Sequence, residues 1–266
     1  MKTLAIVGAG LLGSSFGLAV KRAQLFERVI GVSSAPVVAK AIEIGAIDEA
    51  LPLEEAIPQA DFVLLAQPVL RILTAIEKLG PLLKPDAIVT DVGSTKAAIC
   101  AAGEKYLTRA RFVGGHPMAG REVRGPEGAS ADLFLGRPWV LTSALPELIE
   151  LVEILGGRPV LLGAEEHDRL VAWSSHLPQM LSTALAGLLQ GRGVDPVAGP
   201  GVLDMTRLAL SSHELWEDIL ATNASNVDDA LAQIIAELER TRAALRAGQV
   251  RAVFARGNQG ALGLRH

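Results

Sequence analysis

Short apolar runs alternate with segments of helical periodicity over the first 163 residues of the chain. Several runs contain hardly any polar position, which is typical of strands buried on both faces of a parallel sheet. The predicted strands span residues 3–7, 28–32, 61–66, 87–92, 111–113, 139–141 and 159–162. Because strand and helix alternate, we predict right-handed crossovers and an α/β, doubly wound sheet.

Capping and breaking residues delimit the helices predicted between these strands. Ser34 is a candidate N-cap with Pro36 in the first turn, and Gly45 follows as a stop. Apolar side chains at positions 69, 72, 73, 76 and 79 have helical spacing, and a glycine–proline pair follows them. These two helices therefore have boundaries that the sequence itself indicates.

The pattern changes after residue 163, and no strand is predicted from 164 to 266. Helices are predicted over 165–189, 208–223 and 227–247, with a connector rich in glycine and proline over 191–201. We therefore divide the chain into an α/β domain, residues 1–163, and an all-helical domain, residues 164–266.

One predicted helix of the second domain carries a wide apolar stripe, made up of Leu231, Ile234, Ile235, Leu238 and Leu245. A bundle of about 100 residues has little core with which to cover such a stripe. We therefore expect a homodimer in which the helical domain meets a second copy of itself. The alternative is that the stripe faces only the first domain.

Composition narrows the class of protein. Half of the 266 residues are hydrophobic and only 20% are charged, which excludes wholesale disorder. The net charge of -4 offers no basic excess, so no nucleic-acid partner is expected. The single cysteine, Cys100, excludes an internal disulfide framework, and we expect it to be buried and inert.

An uncharged stretch from residue 3 to 20 is long enough for a membrane helix or the core of a signal peptide. Four glycines and two serines interrupt it, and only Lys2 precedes it as a basic residue. We therefore expect a soluble, cytoplasmic protein with no membrane partner.

The glycines in this stretch have a more specific explanation. Gly8, Gly10 and Gly13 follow an apolar strand and open a helix, which is the context of a dinucleotide-binding turn. The N–H groups at the start of the helix, at Leu11 and Leu12, would then bind a pyrophosphate. The alternative is a packing turn without a ligand.

The end of the second strand bears on the choice of cofactor. An acidic residue there binds the ribose hydroxyls of NAD, but this chain has Ser33 and Ser34. Serine does not repel a 2′-phosphate and its hydroxyl can donate to one, so we expect NADP. No arginine stands there, which leaves NAD possible, and Ser34 is also explained as a helix cap alone.

Two polar residues follow the strand predicted over 87–92, where ligands of open α/β sheets bind. Ser94 is a candidate hydrogen-bonding group beside the reacting centre, although an N-cap role explains it equally well. Lys96 is interpreted as a solvated charge in the first turn of a helix, rather than as the partner of an anionic substrate.

The segment Gly114-Gly115-His116-Pro117-Met118-Ala119-Gly120 directly follows another predicted strand. A lone histidine is usually structural, but a histidine in a glycine-rich loop at a strand end favours function. A neutral imidazole there can take the proton of an alcohol as a hydride leaves its carbon. We expect the pKa of His116 to lie near 6.5 or higher, because substrate carboxylates would raise it.

Candidate substrate-binding residues lie in the helical half. His176 and Gln179 flank Pro178, which we expect to kink a helix. Arg207 precedes a predicted helix and could hold a substrate carboxylate, or could form a surface ion pair with Asp204.

The other histidines of the chain, His167, His213 and His266, have no such context, and we expect no function for them. The histidines and the cysteine have no metal-ligand spacing such as HExxH or CxxC, so no metal is expected.

Together these motifs resemble the prephenate/arogenate dehydrogenase family of tyrosine biosynthesis. The matching segments are GAGLLGSSFGLAV, DVGSTK, FVGGHPMAG, HDRLVAWSSHLPQ and DMTRLALSSHELWEDI, which together span most of the chain. The resemblance implies a Rossmann-like domain, a helical dimerisation domain and oxidative decarboxylation of a cyclohexadienyl substrate. It implies that His116 is the catalytic histidine, that Ser94 hydrogen-bonds the substrate hydroxyl, and that Arg207 binds a substrate carboxylate.

Two departures from the family pattern refine this expectation. Members that use prephenate often read SHLPH, whereas this chain has Gln179 in the last place. Together with Ser33, this favours arogenate as substrate and NADP as cofactor. Prephenate or dual cyclohexadienyl dehydrogenase activity is the nearest alternative. A small imine or keto-acid reductase and a non-catalytic dinucleotide sensor are more distant ones, because neither needs His116.

Overall fold

A computed structural model describes residues 2–121, 123 and 125–265 of the chain. Met1, Glu122, Arg124 and His266, the last of which we expected to have no function, lie outside the described residues. Among the described residues, no helix is long and apolar enough to cross a membrane. The uncharged stretch 3–20 divides into a strand and the start of a helix instead.

The first sheet has six parallel strands in the order β3-β2-β1-β4-β5-β6. Its strands are β1 Thr3–Val7, β2 Arg28–Val32, β3 Glu49–Ala50, β4 Phe62–Leu65, β5 Ile88–Asp91 and β6 Arg111–Val113. The strand order reverses between β1 and β4, which confirms the doubly wound, Rossmann-like prediction. Only β3 was missed here, because a strand of two residues has no periodicity.

A second, smaller sheet contains β7 Gly115–Pro117, β8 Pro138–Leu141 and β9 Arg158–Leu161. β7 runs antiparallel to β8, and β8 runs parallel to β9. The strands predicted over 139–141 and 159–162 therefore do not extend the main sheet. The prediction of a loop around His116 is wrong as well, since His116 lies in β7 opposite Val140.

Helices cover both faces of the main sheet, as the continuous apolar strands require. They are α1 Leu11–Arg22, α2 Ala35–Glu43, α3 Leu53–Ala56, α4 Val69–Leu79 and α5 Ala97–Tyr106, while α6 Pro146–Ile154 packs against β9 of the small sheet. Ser34 occupies the N-cap position of α2, although its side chain makes no capping hydrogen bond. Two apolar clusters result, one on each face, and Phe16, Phe62 and Trp139 are fully buried in the first.

The chain is helical from Ala164 onward in the described residues. The helices are α7 Ala164–Val171, α8 Leu177–Leu189, α9 Pro200–Thr206, α10 His213–Arg246 and α11 Arg251–Gly263. The long helix predicted over 165–189 is interrupted by a π-helical turn, Ala172–His176. Pro178 follows this turn directly, in the first turn of α8, so the irregularity expected at Pro178 is the π-helical turn before it.

Two further differences concern the later helices. The helix α9 was missed, because its glycine and proline resemble a connector. The predicted break after residue 223 is a kink within one helix, where Asn223 has φ -133° and ψ 22°.

Four hydrogen bonds join the helical part to α4, α5 and the loop before α5. The Asp168 carboxylate accepts the backbone N–H groups of Lys96 and Ala97, at 2.7 and 2.9 Å. The hydroxyls of Thr95 and Thr222 are 2.8 Å apart, and Asp218 accepts the N–H of Leu70 at 3.0 Å. These interdomain contacts hold α5 and α4 against α7 and α10, which brings the loop after β5 next to the helical part.

Candidate active site

The glycine turn lies at the switch point of the sheet. Gly8 has φ +102°, and a Cβ there would come 2.5 Å from the carbonyl oxygen of Ala66. A Cβ at Gly13 would come 2.0 Å from the carbonyl oxygen of Gly8, so these two glycines are required by packing. At Gly10 a Cβ would meet nothing within 4 Å. Since the first helical residues, Leu11 and Leu12, have no side-chain cap before them, open space adjoins uncapped N–H groups, which fits a pyrophosphate.

A groove of about 300 Å³ lies at the carboxyl ends of the neighbouring strands. Its wall includes Val7, Val32 and Gln67 and, from one face of α4, Arg71 and Lys78. Ser33 and Ser34 are exposed just beyond Val32. We missed Arg71 and Lys78 from the sequence, although their spacing of seven residues on a helix after β4 places them on one face.

The side chain of His116 contacts a second histidine. Nδ1 of His116 lies 2.8 Å from Nε2 of His167, and Nδ1 of His167 lies 2.8 Å from Oδ1 of Asp168. His167 is fully buried. The sequence gives His167 no functional context, because the contact joins residues that are 51 positions apart.

The backbone before His116 is tightly packed. A Cβ at Gly115 would lie 2.5 Å from the carbonyl oxygen of Asp91. The Asp91 carboxylate accepts the N–H groups of Gly93 and Gly115, at 2.7 and 3.0 Å. The end of β5 and the start of β7 are thereby tied together.

Lys96 is fully buried, which overturns the prediction of a solvated charge. Its ammonium pairs with Asp91 and donates to the carbonyl oxygen of Gly115 at 2.8 Å. These partners offset the cost of removing the charge from water. Ser94 is half-buried in the loop between Asp91 and Lys96. Both ends of this loop contact Gly115, the residue before His116. Ser94 does not cap α5, since the N-cap position belongs to Lys96.

Burial holds the pKa of His116 well below its usual 6.5, and the positive charge of Lys96 and the neighbouring His167 and His176 lower it further. The expected value near or above 6.5 depends on substrate carboxylates, and in the ligand-free protein the pKa is shifted in the opposite direction. The imidazole is neutral at neutral pH and has a lone pair with which to accept a proton.

His176 is buried against the kink of α10. Its Nδ1 accepts a hydrogen bond of 3.1 Å from the side-chain amide of Asn223, which also donates to the carbonyl oxygen of Asp168 at 2.8 Å. Its ring packs edge-on against Trp216. Burial lowers the pKa of His176 to about 4. Sequence reasoning missed Asn223, for which a polar side chain in mid-helix was the only signal.

Gln179 lies one helical turn beyond His176. Its Nε2 donates to the carbonyl oxygen of Leu208 at 2.8 Å and to the Thr183 hydroxyl at 3.2 Å. Because Leu208 offers only an acceptor, the orientation of the amide is settled, and Oε1 is buried without a hydrogen-bond partner in the structure. The adjoining Arg207 is exposed and forms no ion pair with Asp204.

The predicted site residues thus form two groups in the structure. His116 and Ser94 lie at the edge of the sheets, with His167 and Lys96 beside them. Gln179 and Arg207 lie together in the helical part, and the His176–Asn223–Asp168 contacts lie between the groups.

Among the described residues, no cluster of His, Cys, Asp and Glu side chains could hold a metal ion. Cys100 is half-buried 3.6 Å from the Thr142 hydroxyl, and burial raises the pKa of its thiol.

A doubly wound sheet with a glycine turn at its switch point, followed by a helical bundle, defines a nucleotide-binding α/β protein. The family model described as the nucleotide-binding domain of prephenate dehydrogenase matches residues 16–158. The model described as the dimerization domain of prephenate dehydrogenase matches residues 163–256.

Individual relatives agree with these matches. The chain is 32% identical to the cyclohexadienyl dehydrogenase of Zymomonas mobilis, over 92% of this chain and 88% of that one. The crystal structure of Synechocystis arogenate dehydrogenase is 32% identical, with a TM-score of 0.85 over 100% of this chain and 99% of that chain. The prephenate dehydrogenase of A. aeolicus, in complex with hydroxyphenyl propionate and NAD+, is 29% identical, with a TM-score of 0.91 over 100% of this chain and 98% of that chain.

The chain therefore belongs to the prephenate dehydrogenase family, the oxidoreductases of tyrosine biosynthesis.

Proposed function

We propose that this chain catalyses the oxidative decarboxylation of arogenate to tyrosine, with hydride transfer to NADP+. The observation that carries the proposal is the imidazole of His116, which contacts His167 at the edge of a nucleotide-binding sheet and whose pKa is lowered by burial. Membership of the family supplies the reaction class.

The glycine turn and the groove are proposed to bind the cofactor. Leu11 and Leu12 would donate backbone N–H groups to the pyrophosphate, in the open space beside Gly10. When bound, the nicotinamide accepts the hydride from the substrate carbon that bears the hydroxyl. The related prephenate dehydrogenase of A. aeolicus was solved with NAD+, which supports this class of cofactor.

His116 is proposed to accept the hydroxyl proton of the substrate while the hydride leaves the same carbon. Ser94 hydrogen-bonds that hydroxyl and holds it in line with the imidazole. Loss of the ring carboxylate as CO2 then yields the aromatic product. Burial and, after it, the charge of Lys96 lower the pKa of His116 in the free protein, so the base would be neutral when the substrate binds.

Recognition of the substrate is assigned to Arg207 and Gln179. Arg207 has a solvent-exposed guanidinium, and no described residue pairs with it, so it is available to a substrate carboxylate. The buried Oε1 of Gln179 lacks a donor. The ammonium group of arogenate would supply one, whereas the keto oxygen of prephenate would not. His176 packs behind this turn of α8 and holds it in place.

The preference for NADP+ is supported by the charges around the groove. Ser33 and Ser34 offer hydroxyls without a repelling carboxylate, and Arg71 and Lys78 line the same groove. Such a basic wall attracts the additional negative charge of a 2′-phosphate, which NAD+ lacks.

A homodimer is proposed through the helical part of the chain. The dimerization-domain match covers residues 163–256, and Leu238, Leu245 and Phe254 are each more than half exposed in the single chain. Large apolar side chains in such number mark a surface that a partner covers.

Steady-state kinetics with arogenate and prephenate, each with NADP+ and NAD+, tests the proposal directly. We expect arogenate with NADP+ to give the highest kcat/KM of the four pairs. A higher kcat/KM with prephenate would make the chain a prephenate or dual cyclohexadienyl dehydrogenase.

His116→Asn should lower kcat of the best pair by about 10²- to 10⁴-fold while cofactor affinity stays near normal. Equal loss of cofactor binding would show that His116 is structural.

A further inference from the structure

We propose that His167, oriented by Asp168, is a positioning residue that sets the tautomer of His116. It holds the proton of His116 on Nδ1 and thereby leaves Nε2 as the atom that accepts the substrate proton. The inference rests on the proposed role of His116 as the base. It adds His167 and Asp168, neither of which is proposed to contact the substrate.

The first step concerns Asp168, which is buried. Its Oδ1 and Oδ2 accept the backbone N–H groups of Lys96 and Ala97, at 2.7 and 2.9 Å. These two hydrogen bonds fix the carboxylate at the start of α5, where a helix favours negative charge. A carboxylate accepts and does not donate, so Nδ1 of His167, 2.8 Å from Oδ1, must carry a proton.

The second step concerns the pair of imidazoles. With a proton on Nδ1, a neutral His167 has a lone pair on Nε2. That atom lies 2.8 Å from Nδ1 of His116, so Nδ1 of His116 must be the donor. The proton of a neutral His116 is then on Nδ1, and its Nε2 has the free lone pair.

The proposal requires a neutral His167, and the following charged groups face this chain of hydrogen bonds. Lys96 is the nearest buried cation and Asp91 pairs with it. The Asp168 carboxylate contacts His167 and the start of α5. Asn223 donates to the carbonyl oxygen of Asp168 and to His176. A cationic His167 would instead donate to His116 and force the proton of His116 onto Nε2, which would remove the base.

The test combines kinetics with imidazole NMR of the ligand-free protein. His167→Leu removes the acceptor, whereas in His167→Gln an amide oxygen can take the place of Nε2. We expect His167→Leu to lower kcat about 10²- to 10³-fold, with KM for substrate and cofactor changed less than about threefold. His167→Gln should stay within about tenfold of the wild type. His213→Leu, at an exposed position of α10, is the matched control and should keep the kcat of the wild type.

Nitrogen-15 spectra of histidine-labelled protein report the tautomer directly, without substrate or cofactor. We expect the wild type to carry the proton of His116 on Nδ1, and His167→Leu to show a mixture of both tautomers. A proton on Nε2 of His116 in the wild type would overturn the proposal even in an active enzyme. An unchanged kcat in a folded His167→Leu variant would overturn it as well. An inactive protein with the proton on Nδ1 would instead contradict the proposed function and leave the tautomer assignment standing.

Discussion

At the scale of the residue, the pKa and the contacts of the His116 imidazole depend on residues that are distant in sequence. A glycine pair and a proline marked the position, and this much was readable from the sequence. Burial and the nearby charge of Lys96 lower the pKa of the imidazole, and His167 contacts its ring, whereas the sequence predicts a solvated Lys96 and gives no role to His167. Their contacts span 19 and 51 residues of sequence, and such separations leave no local pattern.

In the glycine turn, Gly13 is required by packing, whereas Gly10 adjoins open space that is proposed to hold the cofactor. We expect Gly13→Ala to be strongly destabilising, because its Cβ would lie 2.0 Å from a backbone oxygen that cannot move. Gly10→Ala should retain nearly the stability of the wild type, since its Cβ meets nothing, but should weaken cofactor binding at least tenfold by filling the space of the pyrophosphate. Thermal unfolding and fluorescence titration with NADPH measure the two effects. Normal cofactor affinity in Gly10→Ala would place the pyrophosphate elsewhere.

His176 links stability to pH. Its pKa is about 4 in the folded protein and near 6.5 when unfolded, so the unfolded chain binds the proton more tightly. The stabilisation is therefore complete above pH 6.5 and is lost as pH falls towards 4, by about 3 kcal/mol in all. Urea unfolding at fixed protein concentration, at pH 7 and pH 4.5, measures the loss. We expect a smaller loss in His176→Gln but not in His213→Gln, and equal losses in all three proteins would contradict the assignment.

At the scale of the element, periodicity predicted the long strands and helices and failed where elements are short. Strands β3 and β7 have two and three residues, too few for a pattern, and α9 begins with proline and glycine. The separate small sheet was not predictable either, because an apolar run does not reveal which strand it pairs with. Pairing is decided by contacts such as those of Asp91, which reach across from one sheet to the other.

The junction of β5, α5 and β7 depends on one buried ion pair. Lys96→Met leaves the Asp91 carboxylate buried without its cation, so we expect a loss of about 3–5 kcal/mol in the free energy of unfolding. Lys105→Met, at an exposed position of α5, should change it by less than about 1 kcal/mol. Chemical denaturation measures both variants.

The double variant Lys96→Met with Asp91→Asn sharpens this experiment. The asparagine oxygen still accepts a backbone N–H group while the unpaired charge is gone, so part of the stability should return. A single Lys96→Met variant as stable as the wild type would show that the pair contributes nothing at this junction.

At the scale of the whole molecule, the exposed apolar side chains of α10 and α11 determine the expected assembly. We expect the protein to sediment as a dimer, and Phe254→Asp to shift it towards monomers, because an ionised carboxylate is costly in an apolar interface. Ile42→Asp, a matched change on α2 of the first domain, should leave the dimer intact. Sedimentation velocity across a range of concentrations distinguishes these outcomes. A wild-type monomer would leave the apolar stripe without an explanation.

Asp168 of the helical part is hydrogen-bonded to the start of α5 in the α/β domain. One side chain of the helical part both fastens the two halves of the molecule together and contacts the imidazole next to His116. Separating the halves at this point would break both hydrogen bonds and move the carboxylate that contacts His167. For His116 as the proposed base, this means that its imidazole partner is in place before a reactant binds, so that little binding energy would be needed to assemble this part of the site.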